Sequence, residues 1–201
     1  LLISFTVIPL NINNLYFLRN LGETNLDLFE VIAKRRSIRR YKPETIPSEH
    51  LEKILEAARL APSAKNRQPW YFILVQELER KKLLAKAAMN QEFIADANVV
   101  IVALADSEAS PKWFKHDVMI AVEHMVLAST SLGYGTCWIG AFSEEQVKKL
   151  LNIPEKLTVV ALLPIGVPNE DPPPRPRKNI TEIFFSEEYG KPLRLQERRK
   201  I

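Results

Sequence analysis

Cysteine is almost missing from this chain: Cys137 is the one thiol in 201 residues. A single thiol excludes an intrachain disulfide, fits a reducing cytoplasm and, with no CxxC partner, suits a buried structural position. His50, His116 and His124 are scattered without metal-ligand spacing, so no metal site is expected. The last two are read as surface or interface groups on a long helix. The apolar run from Leu1 to Leu10 is too short to span a bilayer. It has no basic segment ahead, and Asn11-Ile12-Asn13-Asn14 follows in place of a small-residue cleavage site, so it makes a poor signal peptide. The chain also begins without Met, so its native start is expected to lie elsewhere. A net charge of +4 falls short of the strongly basic pattern of a nucleic-acid binder. Gly133-x-Gly135 is followed by Trp138 where a dinucleotide fingerprint needs its third glycine, which argues against a Rossmann NAD site. Ser63 sits in no nucleophile elbow, and no acid–base dyad is evident. No internal repeat or linker divides the chain.

What is present suits one medium α+β domain, 46% hydrophobic and 26% charged. Thr24-Asn25-Leu26-Asp27 reads as a helix start, with Leu28, Phe29, Ile32 and Ala33 on one face and Lys34-Arg35-Arg36 at the negative end of the dipole. Pro47 opens a second helix with Leu51, Ile54, Leu55 and Ala58 as its buried stripe, and Pro62 stops it. Trp70 to Val75 and Val99 to Leu104 have the length and composition of buried strands. Between them, 77–89 reads as a charged surface helix, followed by a short segment around Phe93 and Ile94. Phe114 to Leu132 is a long helix that is apolar on most sides, hence central or shared across a dimer. Thr136 to Ile139 is expected to return as a strand, Ser143 to cap a short helix through Leu151, and Leu157 to Ile165 to form the longest strand. Pro172 to Lys178 must be extended, because proline fixes φ and forbids helix. Ile180 to Phe185 is expected as a last edge strand. Residues 1–24 are read as an extension outside the core domain, or as an arm docking on a partner subunit, since an exposed apolar decamer favours aggregation. Residues 191–201 form a basic tail.

Four segments are candidates for chemistry. Arg35-Arg36-Ser37-Ile38-Arg39-Arg40 packs four guanidinium groups and a hydroxyl into six positions. A solvated helix end looks the same, but clustered Arg with a hydroxyl also offers bidentate, charge-assisted bonds to a phosphate. Arg175 and Arg177 sit on a stiff proline scaffold, where preorganised donors lose less entropy on binding. Pro62 to Trp70 is a polar turn running into a strand. In Gly135-Thr136-Cys137-Trp138-Ile139-Gly140, two glycines bracket a strand, and Gly140 would let a planar ligand approach the backbone. Anion-binding arginines without a catalytic side-chain set point to chemistry borrowed from a cofactor.

In this order and spacing, Arg35-Arg36-Ser37-Ile38-Arg39-Arg40-Tyr41, Ala61-Pro62-Ser63-Ala64-x-Asn66-x-Gln68-Pro69-Trp70, Gly133 to Gly140 and Arg175-Pro176-Arg177 resemble the nitroreductase family. The resemblance runs from about Leu26 to Phe185. It implies an α+β fold with a central, mostly antiparallel sheet flanked by helices, and an intertwined homodimer with FMN at the interface; residues 25–190 would be the FMN-binding domain. Arg35, Ser37 and Arg39, with Arg36 alongside, would come from one subunit, and Arg175 and Arg177 would help hold the phosphate. Arg39 would place a cation near the flavin pyrimidine. Pro62, Ser63, Ala64 and Asn66 would reach the flavin from the other subunit. Trp138, Ile139 and Gly140 would pack on the ring with a backbone N–H near N5, and Gln91, or Asn90 beside it, would make a polar contact. The implied activity is two-step exchange: NAD(P)H gives a hydride to flavin N5, and a nitroaromatic or quinone then takes it up. Trp113 and Phe114 are the residues of the short 106–115 segment that could stack on a substrate. That segment carries no lid of the kind a halotyrosine deiodinase would show. A flavin-consuming branch that makes the lower ligand of cobalamin, a dehalogenating member and a non-catalytic flavin carrier or sensor remain as alternatives. A nucleic-acid module built on Arg35–Arg40 and Arg198-Arg199-Lys200 is opposed by the modest charge and the lack of aromatic–basic interleaving.

Overall fold

The structure is a computed structural model that describes residues 27–195. The chain divides into two compact units, Leu1–Glu170 and Asp171–Ile201. The apolar N-terminal extension, Thr24 and the Arg198–Lys200 cluster lie outside the described residues.

The first unit is built on a four-stranded sheet in the order β1-β2-β4-β3. Its strands are β1 (Trp70–Val75), β2 (Val99–Asp106), β3 (Gly135–Thr136) and β4 (Leu157–Gly166). All three strand pairs are antiparallel. The helices are α1 (Leu28–Lys34), α2 (Ser48–Arg59), α3 (Leu78–Ala87), α4 (Phe93–Asp96), α5 (Phe114–Ser131) and α6 (Glu144–Leu151).

β2 explains the two-sided core. Every one of its residues is buried, and successive side chains of a strand point to opposite faces. Val100, Val102 and Leu104 pack with Leu84 of α3 and Val147 of α6. Val99, Ile101, Ala103 and Ala105 pack with Ile54 and Ala58 of α2 and with Val118, Val122 and Met125 of α5. Because both faces are covered by helices, the strand shows no polar alternation in the sequence. β1 lies at the sheet edge, and Tyr71 and Leu74 remain exposed, so its apolar run is only partly buried.

Local chemistry sets the helix starts. Asp27 and Glu30 form a reciprocal capping box on α1, and Ser143 accepts the Gln146 N–H at the start of α6. The strand expected over Thr136 to Ile139 is cut to two residues plus one isolated bridge, Ile139 to Leu162. α3 is less of a surface helix than its charge suggests, since Lys81 is buried with its ammonium donating to the Ala97 carbonyl.

α1 departs from the expected packing. Only Val31 is buried, while Leu28, Phe29 and Ile32 are 62%, 80% and 52% exposed. α5 buries one broad face but leaves Met119 and Ile120 exposed. Among the described residues no helix is long and apolar enough to cross a membrane.

In the second unit, 172–179 has no regular secondary structure, as its prolines require. The edge strand expected at Ile180 to Phe185 is instead a short helix, α7 (Ile180–Ile183). Asn179 and Glu182 form a capping box there, which satisfies helix N–H groups that a lone strand edge would leave unpaired. Phe185 alone keeps a bridge, to Pro192.

Candidate functional site

The basic run leaves α1 at Arg35, whose N–H still donates to the Val31 carbonyl at 3.0 Å. It then becomes extended and docks beside β3. Ser37 forms a parallel bridge with Thr136, and the Ile38 N–H donates to the Thr136 carbonyl at 2.8 Å. Ile38 is buried beneath Gly135, where an added Cβ would meet three of its atoms at 2.7–2.8 Å. Buried Tyr41 closes the segment, its hydroxyl donating to the Ile38 carbonyl at 2.8 Å. Its ring lies against Gly166, where a Cβ would stand 2.7 Å from Cδ1. Burial drives the Tyr41 phenol far above the ordinary range, with Cys137 and Glu170 adding to the shift and Arg39 opposing it.

With Ile38 anchored inward, strand alternation places its neighbours Ser37 and Arg39 on the opposite face, while Arg35 is half-buried at the end of α1 and the chain turns Tyr41 back into the core. The Arg39 N–H donates to the Glu170 carboxylate, which fixes the backbone and leaves the guanidinium outward. Neither Arg35 nor Arg39 has an ion-pair partner among the described residues. Arg36 behaves differently: its guanidinium donates to the Ala33 and Arg35 carbonyls at 2.6 and 2.9 Å, satisfying the C-terminus of α1.

β3 continues into Cys137, Trp138, Ile139 and Gly140. Cys137 is buried. Burial pushes its thiol up, while Arg39 and Arg35 pull it down and Glu170 raises it, which sets that thiol close to the arginine face. Half-buried Trp138 donates its indole N–H to the Glu123 carboxylate on α5 at 3.1 Å. Ile139 is in the core, and its N–H already donates to the Leu162 carbonyl. Gly140 is exposed, a Cβ there would meet nothing within 4 Å, and its N–H has no protein acceptor among the described residues. The open backbone next to the sheet edge is therefore at Gly140. Gln91 reaches the same turn, its amide donating to the Ala88 and Ala141 carbonyls at 2.9 and 3.4 Å. Asn90 is exposed beside it.

The turn after α2 is unusual in its backbone. Lys65, Asn66 and Gln68 have φ of 53°, 54° and 49°, the left-handed region that disfavours non-glycine residues. Ser63 closes the turn from inside, its Oγ accepting the Gln68 N–H and its carbonyl accepting the Asn66 N–H, both at 2.9 Å. The Ala64 N–H donates outward to Asp117 Oδ1 at 3.1 Å, and Pro62 lies exposed at the entrance. Asp117 was missed in the sequence. Its signal was a carboxylate beside Val118 and one turn before Ala121, on the stripe that α5 buries.

Trp113 stands exposed ahead of α5, with its ring edge-on to His116 at 5.4 Å and the Lys112 ammonium 5.5 Å from its centre. Phe114 instead packs against the α2–α5 core. His50 Nδ1 lies 2.6 Å from the Tyr134 hydroxyl, and His124 Nδ1 lies 3.1 Å from the Ala57 carbonyl. Both histidines are thus internal contacts, and only His116 is at the surface. No group of metal-ligating side chains occurs among the described residues. A concavity of about 290 Å³ between α3 and α4 contains none of the candidate residues. Arg175 and Arg177 are exposed in the second unit, the latter donating to the Arg175 and Pro176 carbonyls at 3.4 and 3.3 Å.

The arginine-and-serine segment thus runs beside β3, the strand that leads to the exposed Gly140 turn. The chain matches the Nitroreductase family over residues 32–91 and 82–167. It belongs to that family. A nitroreductase family protein of Clostridium novyi shares 37% identity and a TM-score of 0.69, with 83% of this chain and 97% of that one covered. An FMN-dependent nitroreductase of Clostridium difficile shares 32% identity and a TM-score of 0.66, over 76% and 92%. An NADH dehydrogenase of Thermus thermophilus is 30% identical over 196 residues, covering 80% of this chain and 96% of its own. The family is broad, since an iodotyrosine deiodinase of Thermotoga neapolitana is 27% identical over 178 residues, or 76% of this chain and 95% of its own.

Proposed function

We propose that this chain is an FMN-dependent oxidoreductase using NAD(P)H, acting as a homodimer in the cytoplasm, with residues 25–190 as its flavin-binding domain and 191–201 as a basic tail. The observation that carries this reading is the segment of Arg35, Ser37 and Arg39, pinned through Ser37 and Ile38 to Thr136 of β3, four residues before the open Gly140.

The residues present fit the group. The Arg35 guanidinium, without an ion-pair partner among the described residues, and the Ser37 hydroxyl match a phosphate, and the open space over Gly140 matches a ring edge that must approach backbone. Arg35 and Ser37 would hold the phosphate. Arg36 supports them by closing α1. Arg39 supplies a fixed positive charge where negative charge would build up on the pyrimidine. The Gly140 N–H would donate to the ring, while Trp138, held by Glu123, and the turn containing Gln91 would wall it. Pro62, Ser63, Ala64 and Asn66 would approach from the partner subunit. When bound, FMN supplies transfer of a hydride from NAD(P)H by way of N5 to a small acceptor such as a nitroaromatic or quinone, in two-step exchange. Trp113 offers an exposed ring on which the acceptor could stack, whereas Phe114 would act from behind it.

The apolar faces of α1 and α5 favour the homodimer. Leu28, Phe29, Ile32, Met119 and Ile120 are too large an apolar display for an isolated chain. A second copy would cover them.

The test is the absorbance spectrum of the purified protein, followed by NAD(P)H without oxygen. Flavin bands that bleach support the reductase. Bands that persist favour a carrier or sensor, and a colourless protein that takes up no FMN overturns the assignment. Loss of iodide from a halotyrosine, or consumption of the flavin itself, would move the chain to those branches of the family.

A further inference from the structure

We propose that Asp117 is a positioning residue that holds the strained 63–68 turn in its flavin-facing form; the flavin half of this inference rests on the FMN reading above. Asp117 is 3% exposed, in the first turn of α5. One carboxylate oxygen accepts the Ala64 N–H at 3.1 Å, and the other accepts the hydroxyl of fully buried Ser110 at 3.3 Å. Ser110 is itself fixed. Its N–H donates to the Asp106 carbonyl, and the Asp106 carboxylate accepts the Glu108 and Ala109 N–H groups. The carboxylate is thus aimed before any ligand arrives, and the N-terminal end of α5 favours its negative charge.

The turn it holds needs an anchor. Three non-glycine residues in four positions are left-handed, a conformation that relaxes unless the surroundings enforce it. Its other hydrogen bonds, from Gln68 and Asn66 to Ser63 and from Arg67 to Ala64, are internal to the turn. Among the described residues, the Ala64 to Asp117 bond is the one that ties residues 63–68 to another element. Without it the turn keeps its internal bonds but loses its place against α5.

Lys65 and Arg67 are exposed in this turn, so trypsin reports its release with no flavin present. The experiment measures cleavage after Lys65 and Arg67 relative to cleavage after Lys53 and Arg59 in α2, and FMN affinity by fluorescence quenching. It compares wild type, Asp117→Ala, Asp117→Asn and Ser110→Ala. Loss of a charge-assisted bond predicts that Asp117→Ala raises the cleavage ratio and weakens FMN by about tenfold or more. Asp117→Asn should stay within about threefold of wild type, because its amide still accepts from Ala64 and can donate to Ser110. Ser110→Ala, which only loosens the carboxylate, should raise the ratio about threefold and serves if Asp117→Ala does not fold. An unchanged ratio in Asp117→Ala or in Ser110→Ala, or an Asn variant as impaired as the Ala variant, overturns the proposal. A wild-type chain that binds no FMN sinks the functional assignment, while the cleavage ratio still decides whether Asp117 anchors the turn.

Discussion

Gly135→Ala tests how tightly the arginine segment is built onto the sheet. Gly135 does not have a left-handed backbone, so alanine is allowed there and the cost is steric. The new Cβ would stand 2.7, 2.7 and 2.8 Å from Ile38 Cβ, Cγ1 and Cγ2, against an optimum of about 3.5–4.0 Å between carbons. Cβ is the root of the Ile38 side chain, so no rotamer change relieves the contact. Either β3 leaves its pairing with Gly166 and Ile165, or the 37–39 segment moves outward and strains the Ile38 to Thr136 bond. Overpacking of this kind costs about 1–3 kcal/mol, here near the top of that range. The lower unfolded-state entropy of alanine offsets about 0.4–1 kcal/mol. The net is about 2 kcal/mol, or a fall in Tm of about 4–8 °C for a chain of this size. Thermal unfolding of the apoprotein measures it. Combining it with Ile38→Ala, which removes two of the three clashing atoms, should show a favourable coupling of about 1 kcal/mol or more. A Gly135→Ala protein that melts within about 1 °C of wild type, or strict additivity in the double variant, refutes the packing argument.

Arg35→Ala should weaken FMN by about 10–100-fold, the worth of a charge-assisted bond to phosphate, and leave riboflavin affinity nearly unchanged. Equal losses for both ligands would remove Arg35 from the phosphate site. Tyr41 gives a pH signature. Its phenol is neutral in the fold well above its ordinary value of 10.0, chiefly through burial. The folded state therefore holds a proton that the unfolded state gives up, so this stability is fully present below pH 10 and lost as pH rises beyond it. Urea midpoints between pH 8 and 11 should fall above about pH 10, and Tyr41→Phe should flatten that fall while costing about 1 kcal/mol at pH 7 through loss of the bond to the Ile38 carbonyl. An unchanged alkaline slope in Tyr41→Phe would contradict this.

Much of the fold is legible in the residues because local rules decide it. Apolar runs of strand length at 70–75, 99–104 and 157–165, the Pro47 helix start and the Ser143 cap depend on neighbours in sequence, and each falls within the element the structure forms there. The Ile180–Phe185 segment shows the limit. Its apolar, β-prone composition suggests a strand, but the Asn179–Glu182 capping box turns it into a helix. The candidate site divides along the same line. Clustered arginines, the polar 62–70 turn and the 135–140 glycines are sequence features, and their residue types suit an anionic, planar ligand as well as they suit a solvated helix end and turns. Which face of the arginine run is offered is a tertiary matter: Ile38 under Gly135 turns its neighbours Ser37 and Arg39 away from the core, and the α1 C-terminus engages Arg36. Tertiary structure also decides which N–H of the β3 turn is open: that of Ile139 pairs with the Leu162 carbonyl, while that of Gly140 has no acceptor among the described residues. The Ala64 to Asp117 bond joins residues 53 apart; no periodicity encodes it, because only the packing of α5 against α2 brings its first turn beneath the loop.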